Sequence, residues 1–462
     1  RFLIPQPPPG VGRAPADNLD SGYVVKDADI IPRPKRKYDI VMLGATGFTG
    51  KLTVRHLVKT YGFDGKKGEP VRWAIAGRSQ SKLDQVKRDV IEEFASAGDD
   101  KQKLFDAIDT ILVDTTVPAM LPNLVRDAKA IVTTAGPFHL YSVHVVEFCA
   151  KFGTHYVDIS AELDWFRNMM VTWGPTAKKT GARIVTLCGC DSVPWDLSTM
   201  RMQDEIKKAS NGQEELVSIQ CFNEVNGGIS GGTLYTCSLL IDGSCQKPPK
   251  VDPFLKTAKG TPSMAQTTLD PLAFIPSPIA FPWKPNAPAL SMWRSPFLMT
   301  AVNCDAVKWS QALRGATQPL VYSDFMTTTS MPTALTGGIG IMMAAVALLN
   351  PITKYLLETF VFPKPGEGPD KKTMIEKSFL SVYSKGVGSK GSEYESVIFF
   401  KGDAGYIETA RMVSEAGLSM ALQEDELPAH GGGFYTPAIA MGDVYLKRLM
   451  ATGTHYALKK TK

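Results

Sequence analysis

Tyr38-Asp39-Ile40-Val41-Met42-Leu43 runs into Gly44-Ala45-Thr46-Gly47-Phe48-Thr49-Gly50 and then Lys51-Leu52-Thr53-Val54. A short apolar run, a turn with glycine at every third place and a helical start form the layout of a βα turn that holds a dinucleotide. Gly44 permits the sharp turn. Gly47 lets the main chain come close to a pyrophosphate, and Gly50 lets the helix lie on the strand. The phosphates are expected at the helix N-terminus, where unpaired N–H groups and the positive dipole end favour an anion. Thr46, Phe48 and Thr49 share that loop and join the expected cofactor contacts. The spacing is GxxGxxG rather than GxGxxG, so the strand before it and the βα units after it carry the reading.

Working outward, apolar runs at 71–76, 111–113, 130–133, 155–159 and 183–186 read as strands, with helical spacing at 51–60, 81–95 and 143–150. This alternation predicts an α/β fold, a Rossmann-type doubly wound parallel sheet over 38–200 with helices on both faces. Ligands of such sheets bind beyond the carboxyl ends of the strands. The Gly44 turn and the Thr133-Thr134-Ala135-Gly136-Pro137 turn both fall at that edge. Past residue 200 the pattern changes. Residues 215–222 and 393–401 alternate like strands, 226–233 is a glycine-rich loop, and 247–297 is a proline-rich excursion. A second α+β domain is expected over 201–400. Residues 401–462 are expected to return as helices to the first domain, 409–422 among them.

One stretch is unlike the rest. No charge occurs between Asp324 and Lys354, and residues 337–349 are strongly apolar up to Asn350-Pro351. A spanning helix needs about 20 apolar residues, and this core is a little short. Segment 334–362 is therefore read as a buried hairpin, a protein-binding surface or a hairpin that dips into one membrane leaflet.

The chain has 462 residues, more than one small core can hold, so at least two domains follow. Its net charge of +5 is mild, and no basic run is interleaved with aromatics, so nucleic acid is not implied. Seven cysteines form no CxxC pair, and the Cys188–Cys190 CxC has no nearby His, which argues against metal and for a reducing compartment. Residues 1–37 are Pro-rich and basic, with little to bury, and read as an arm or linker; the first residue is Arg rather than Met, which is consistent with a cleaved organellar presequence of which no segment remains.

The end of the second strand separates NAD from NADP. It carries Gly77-Arg78-Ser79 and no carboxylate, so Arg78, with Ser79 beside it and Lys82 a turn later, favours NADP(H) over NAD(H). Asp114 is placed to meet the adenine amine, and Ala135, Gly136 and Pro137 to lie along the nicotinamide ribose. Hydride transfer asks of the protein little beyond orientation and a proton donor. His139, Tyr141, Tyr156, Asp158, Glu162 and Asp191-Ser192 stand at the right edge. Each has a plain alternative: loop shaping for His139 and Tyr141, helix capping for Asp158, solvation for Glu162, and a helix start for Asp191-Ser192.

These motifs resemble the saccharopine dehydrogenase-like oxidoreductases, a family that includes the trans-acting enoyl reductases of glycolipid synthesis. The resemblance is carried by residues 44–50, Ala76-Gly77-Arg78-Ser79, Ala135-Gly136-Pro137-Phe138, 153–162, 188–197, Ala404-Gly405-Tyr406 and 432–438, in order. It implies a Rossmann domain, a second α+β domain and, in eukaryotic members, an apolar segment associated with lipid droplets and organelle membranes. The location it implies is intracellular and membrane-associated, at an organelle (mitochondrion or plastid) or a lipid droplet. Cys190 replaces an aromatic residue usual in the family, and Trp195 a small one, which narrows a substrate cleft. No basic cluster for an amino-acid substrate is evident. Three functions stay open: an oxidoreductase acting on an apolar, lipid-derived substrate at a membrane surface, a silent subunit of a larger membrane-associated complex, and an amino-acid dehydrogenase that cleaves saccharopine.

Overall fold

The computed structural model describes residues 18–190, 192–227, 234, 247–257, 263, 267–270, 275–280, 291–363 and 367–462. Two sheets organise them. In the first, β1 (Tyr38–Leu43) is buried throughout, as a strand covered on both faces must be. It lies between β2 (Trp73–Gly77) and β4 (Ala128–Thr133). β3 (Asp109–Leu112) extends one side, and β5 (His155–Asp158) and β6 (Arg183–Val185) extend the other. Every pairing is parallel and the order is 3-2-1-4-5-6, the doubly wound arrangement whose reversal point falls between β1 and β4. The expected sheet is therefore present, with no strand end moved by more than two residues.

The Phe48–Tyr61 helix follows β1 and buries Thr53, Val54, Leu57, Val58 and Tyr61, one face at i, i+3, i+4 spacing. The Gln80–Phe94 helix follows β2 with Leu83, Val86, Val90 and Ile91 inward, and Ser79 caps its start.

The second sheet contains β7 (Leu216–Asn226), β8 (Thr267–Leu269), β9 (Ser277–Ala280), β10 (Ser291–Pro296), β11 (Leu320–Thr328), β12 (Phe379–Gly388) and β13 (Glu393–Lys401). It is mixed: β7 pairs parallel with β11 and antiparallel with β12. The described residues of the proline-rich excursion thus contribute three strands. Most of the glycine-rich loop lies outside the described residues. Helices Val193–Ala209 and Thr300–Arg314 pack on the second sheet and on each other.

The chain end is less helical than expected. Thr409–Leu422 and Pro437–Ala451 are helices, but β14 (Gly433–Tyr435) joins β6 as a seventh parallel strand, and β15 (His455–Lys460) pairs with β13 of the second sheet. Helix 409–422 lies across β1, β4 and β5, and nearly all of it is buried. Gly417 makes that possible, because a Cβ there would stand 2.4 Å from Val132 Cγ2.

Residues 18–37 also bury more than their composition suggests. The Arg36 guanidinium is sealed and donates to the carbonyls of Ile31, Ala128 and Phe152 and to Thr154 Oγ1. Burial holds its pKa down near 10.

The apolar segment forms helix Met331–Leu349, a break at Asn350-Pro351, and helix Pro351–Leu356 with a further turn over Leu357–Val361. It is not a buried hairpin. Met342, Met343, Val346, Leu349, Ile352, Phe360 and Val361 are each more than 60% exposed. Its first turns are anchored, with Ser295 Oγ donating to the Ala334 carbonyl and Pro296 lying under Gly338.

Candidate functional site

The turn after β1 and the turn after β4 meet at the carboxyl edge of the first sheet, at the β1/β4 reversal where sheets of this kind hold their ligands. Gly44 leaves β1 at φ +83, its N–H donating to the Ala76 carbonyl at 3.1 Å while its own carbonyl accepts from Gly47 at 3.0 Å. A side chain at Gly44 would meet Ala135 at 2.9 Å, and one at Gly50 would meet the Gly44 carbonyl at 2.0 Å. Gly47 is the helix N-cap and supplies no side-chain acceptor, so the first-turn N–H groups of Phe48, Thr49 and Gly50 remain for another partner. At the end of β4 Thr134 donates its N–H to the Leu43 carbonyl, and Gly136 donates to the Thr134 carbonyl. Thr134 Oγ1 is sealed from solvent with no hydrogen-bond partner. Main-chain amides, Thr46, Thr49 and this orphaned hydroxyl face no carboxylate in either turn, a donor set that fits a diphosphate. The coenzyme's place is thereby matched by residues present, with Ala135, Gly136 and Pro137 forming the far wall.

Arg78 is exposed at the exit of β2, and its guanidinium stands 5.7 Å from the centre of the Tyr141 ring. Ser79 is committed to capping, accepting the Lys82 N–H and sharing a hydrogen bond with Ser81. Asp114 follows β3 and accepts from the Thr116 N–H and hydroxyl, which keeps its carboxylate in its own turn.

The structure separates the proton-transfer candidates. Tyr156 and Asp158 are fully buried. The tyrosine hydroxyl donates to Asp158 Oδ2 at 2.6 Å, while Thr186 Oγ1 and the Ser160 N–H supply Oδ1. Burial pushes the Asp158 carboxyl up to about 6. The pair holds the β5 and β6 exits together rather than opening on the β1 and β4 turns. Glu162 is buried, not solvated. It accepts the N–H groups of Phe138 and His139 at 2.9 and 2.8 Å, and pairs with His139 Nδ1 at 2.5 Å. Asp191 lies outside the described residues. Ser192 opens helix 193–209, and its hydroxyl reaches Asn303. Among the described residues no cluster of His, Cys, Asp and Glu is arranged to hold a metal.

Sequence reasoning assigned no role to residues 403–409, which roof this edge. Tyr406 packs edge-on against Phe48 at 5.1 Å, and Thr409 Oγ1 accepts the Cys190 N–H. The signal was the Ala404-Gly405-Tyr406 motif, whose place in space depends on the fold. Leu187, just after β6, sits at φ 61, a left-handed conformation that costs a leucine about 1–2 kcal/mol. Trp195 is buried with its Nε1–H on Asn223 Oδ1 and its ring 5.4 Å from Phe297, so it packs against the second sheet.

Comparison with known proteins agrees with this geometry. Residues 40–185 match the model of the saccharopine dehydrogenase NADP-binding domain, which makes a dinucleotide the cofactor class. A Mycobacterium tuberculosis protein, provisionally described as a trans-acting enoyl reductase, is 32% identical over 434 residues, 90% of this chain and 96% of its own. The trans-acting enoyl reductase of Mycobacterium ulcerans is 30% identical over 444 residues, 91% of this chain and 97% of its own. In fold, the apo saccharopine dehydrogenase (L-Glu forming) of Saccharomyces cerevisiae superposes with a TM-score of 0.51 at 13% identity, over 92% of this chain and all of that one. The turn at Gly44, the 3-2-1-4-5-6 sheet and relatives matched from end to end place this chain in the dinucleotide-binding saccharopine dehydrogenase-like oxidoreductase family.

Proposed function

We propose that the protein is an NADP(H)-dependent oxidoreductase that reduces an apolar, lipid-derived substrate taken from a membrane surface. The observation that carries the cofactor choice is Arg78, an exposed guanidinium at the β2 exit where no carboxylate competes, suited to a 2′-phosphate. The coenzyme supplies hydride. The first-turn amides of helix 48–61 hold its diphosphate, and Thr134 to Pro137 shape the nicotinamide side. Relatives described as enoyl reductases support a substrate with a conjugated double bond on an acyl chain.

The membrane half of the reading rests on the exposed apolar hairpin. Helix 331–349 is held by β10 as far as Gly338, so its free part is 339–349, about 16 Å at 1.5 Å per residue. That length reaches into one leaflet and no further, given an apolar core of about 30 Å. Exposed apolar side chains occur on consecutive positions such as Met342 and Met343, as immersion in lipid favours and a single protein groove does not. The surface we propose is intracellular, that of an organelle or a lipid droplet.

The test is NADPH oxidation with a long-chain trans-2-enoyl thioester presented on phospholipid vesicles. Steady consumption is expected, and none in a protein that binds the vesicles would contradict the substrate class. One observation favours the silent-subunit reading, namely that the bulky Trp195 is buried against the second sheet. Co-purification in a large membrane complex without turnover would bear that reading out.

A further inference from the structure

His139 and Glu162 meet at the exits of neighbouring strands, β4 and β5. Glu162 already accepts two main-chain N–H groups, so it is an acceptor throughout, and the 2.5 Å contact with the imidazole makes Nδ1 the donor. That fixes the ring: Nδ1 keeps its hydrogen and Nε2 is the position that gains or loses one. His139 is 6% exposed; among the described residues Nε2 has no hydrogen-bond partner, and it is not one of the unpartnered atoms fully sealed from solvent. The other candidates are committed elsewhere. Tyr156 and Asp158 are closed into their own network, and Tyr141 lies against Arg78 on the adenosine side.

We propose that His139, oriented by Glu162, exchanges the proton with the substrate at Nε2. The inference rests on the oxidoreductase reading above. In reduction, hydride from the bound coenzyme bonds to one carbon of the conjugated double bond. The electron pair of that double bond then takes the Nε2 proton of the imidazolium at the neighbouring carbon. The coenzyme leaves oxidised, the imidazole keeps its Nδ1–H, and solvent restores the Nε2 proton. In the reverse direction the same Nε2 lone pair acts as base. A carboxylate that holds one ring nitrogen so that the other faces substrate is the division of labour expected of a general acid–base pair.

The experiment is histidine carbethoxylation by diethyl pyrocarbonate, read at each site by mass spectrometry, with and without NADP+. His139 is expected to label in the free protein and to be shielded about tenfold at a coenzyme concentration ten times Kd, while exposed His455 labels equally in both. His139→Gln is expected to leave NADPH affinity unchanged and to lower kcat on the enoyl thioester by about 10²–10⁴-fold. An unlabelled His139, labelling indifferent to a coenzyme seen by fluorescence to bind, coenzyme binding lost in H139Q, or an unchanged kcat in that variant would overturn the proposal. No coenzyme binding by the wild-type protein overturns the reading beneath it, a separate result.

Discussion

Gly50 has no room for even a methyl group, since its Cβ would stand 2.0 Å from the Gly44 carbonyl oxygen. Gly50→Ala is expected to push helix 48–61 off β1, lowering stability by about 1–3 kcal/mol and abolishing coenzyme binding, read by thermal denaturation and nicotinamide fluorescence. Asp324 shows the opposite situation, a charge with too little around it. Its Oδ2 accepts from Asn303 and Tyr322, Oδ1 has no partner, and burial pushes the carboxyl up to about 6. The folded state therefore holds a proton that the unfolded state releases near about 3.9, so this group's contribution is greatest at low pH and falls as pH rises through 6. Asp324→Asn keeps an acceptor for both donors. It is expected to raise stability at pH 8 by on the order of 2 kcal/mol and to make no difference at pH 4, measured by urea denaturation at both. The glycines were legible in the sequence because their requirement is steric and local. Glu162 and Asp158 were not, because whether a carboxylate is solvated or sealed depends on loops that meet only in the folded chain.

Among the elements, helix 409–422 shows how closely the chain end is built into the first sheet. Gly417→Ala places a methyl 2.4 Å from Val132 Cγ2 and is expected to cost about 1–3 kcal/mol, visible as a lowered denaturation midpoint. The 3.6-residue pattern located that helix with its ends correct, yet its place over β1, β4 and β5 was not legible, since nothing local says which sheet a helix covers. β14 and β15 were missed for a related reason. β14 has three residues, and β15 is an edge strand exposed at every second position. The apolar hairpin was recognised by composition, while its exposure had to come from the structure. Changing Met343, Val346 and Phe360 to Lys together should abolish flotation with phospholipid vesicles. Each buried apolar side chain of this size is worth about 1.5–3 kcal/mol, so three exceed a hundredfold in partitioning. Flotation unaffected by the triple change would contradict the membrane reading while leaving the coenzyme site untouched.

At the scale of the molecule the two sheets are tied by one continuous path. Residues 433–435 extend the first sheet, residues 455–460 extend the second, and helix 437–451 between them packs on helices 193–209 and 300–314, which lie on the second sheet. Residues 403–409 cross from that path to the glycine turn, so the ligand edge is completed by chain more than 350 positions away from Phe48. The alternation of apolar runs was enough to read a parallel sheet and its ligand edge; the closing roof was beyond it, because distant segments carry no local mark of where they dock. The central claim is that this edge grips a dinucleotide by its diphosphate and that Arg78 selects the form bearing a 2′-phosphate. Equilibrium titration of the wild-type, Gly47→Asp and Arg78→Gln proteins with NADPH and NADH tests it most directly. The account predicts saturable binding with NADPH preferred, loss of both coenzymes in Gly47→Asp, and a weakening of about 10–100-fold for NADPH alone in Arg78→Gln, the scale of a charge-assisted hydrogen bond. No binding by the wild-type protein, or equal affinities untouched by either substitution, would contradict it.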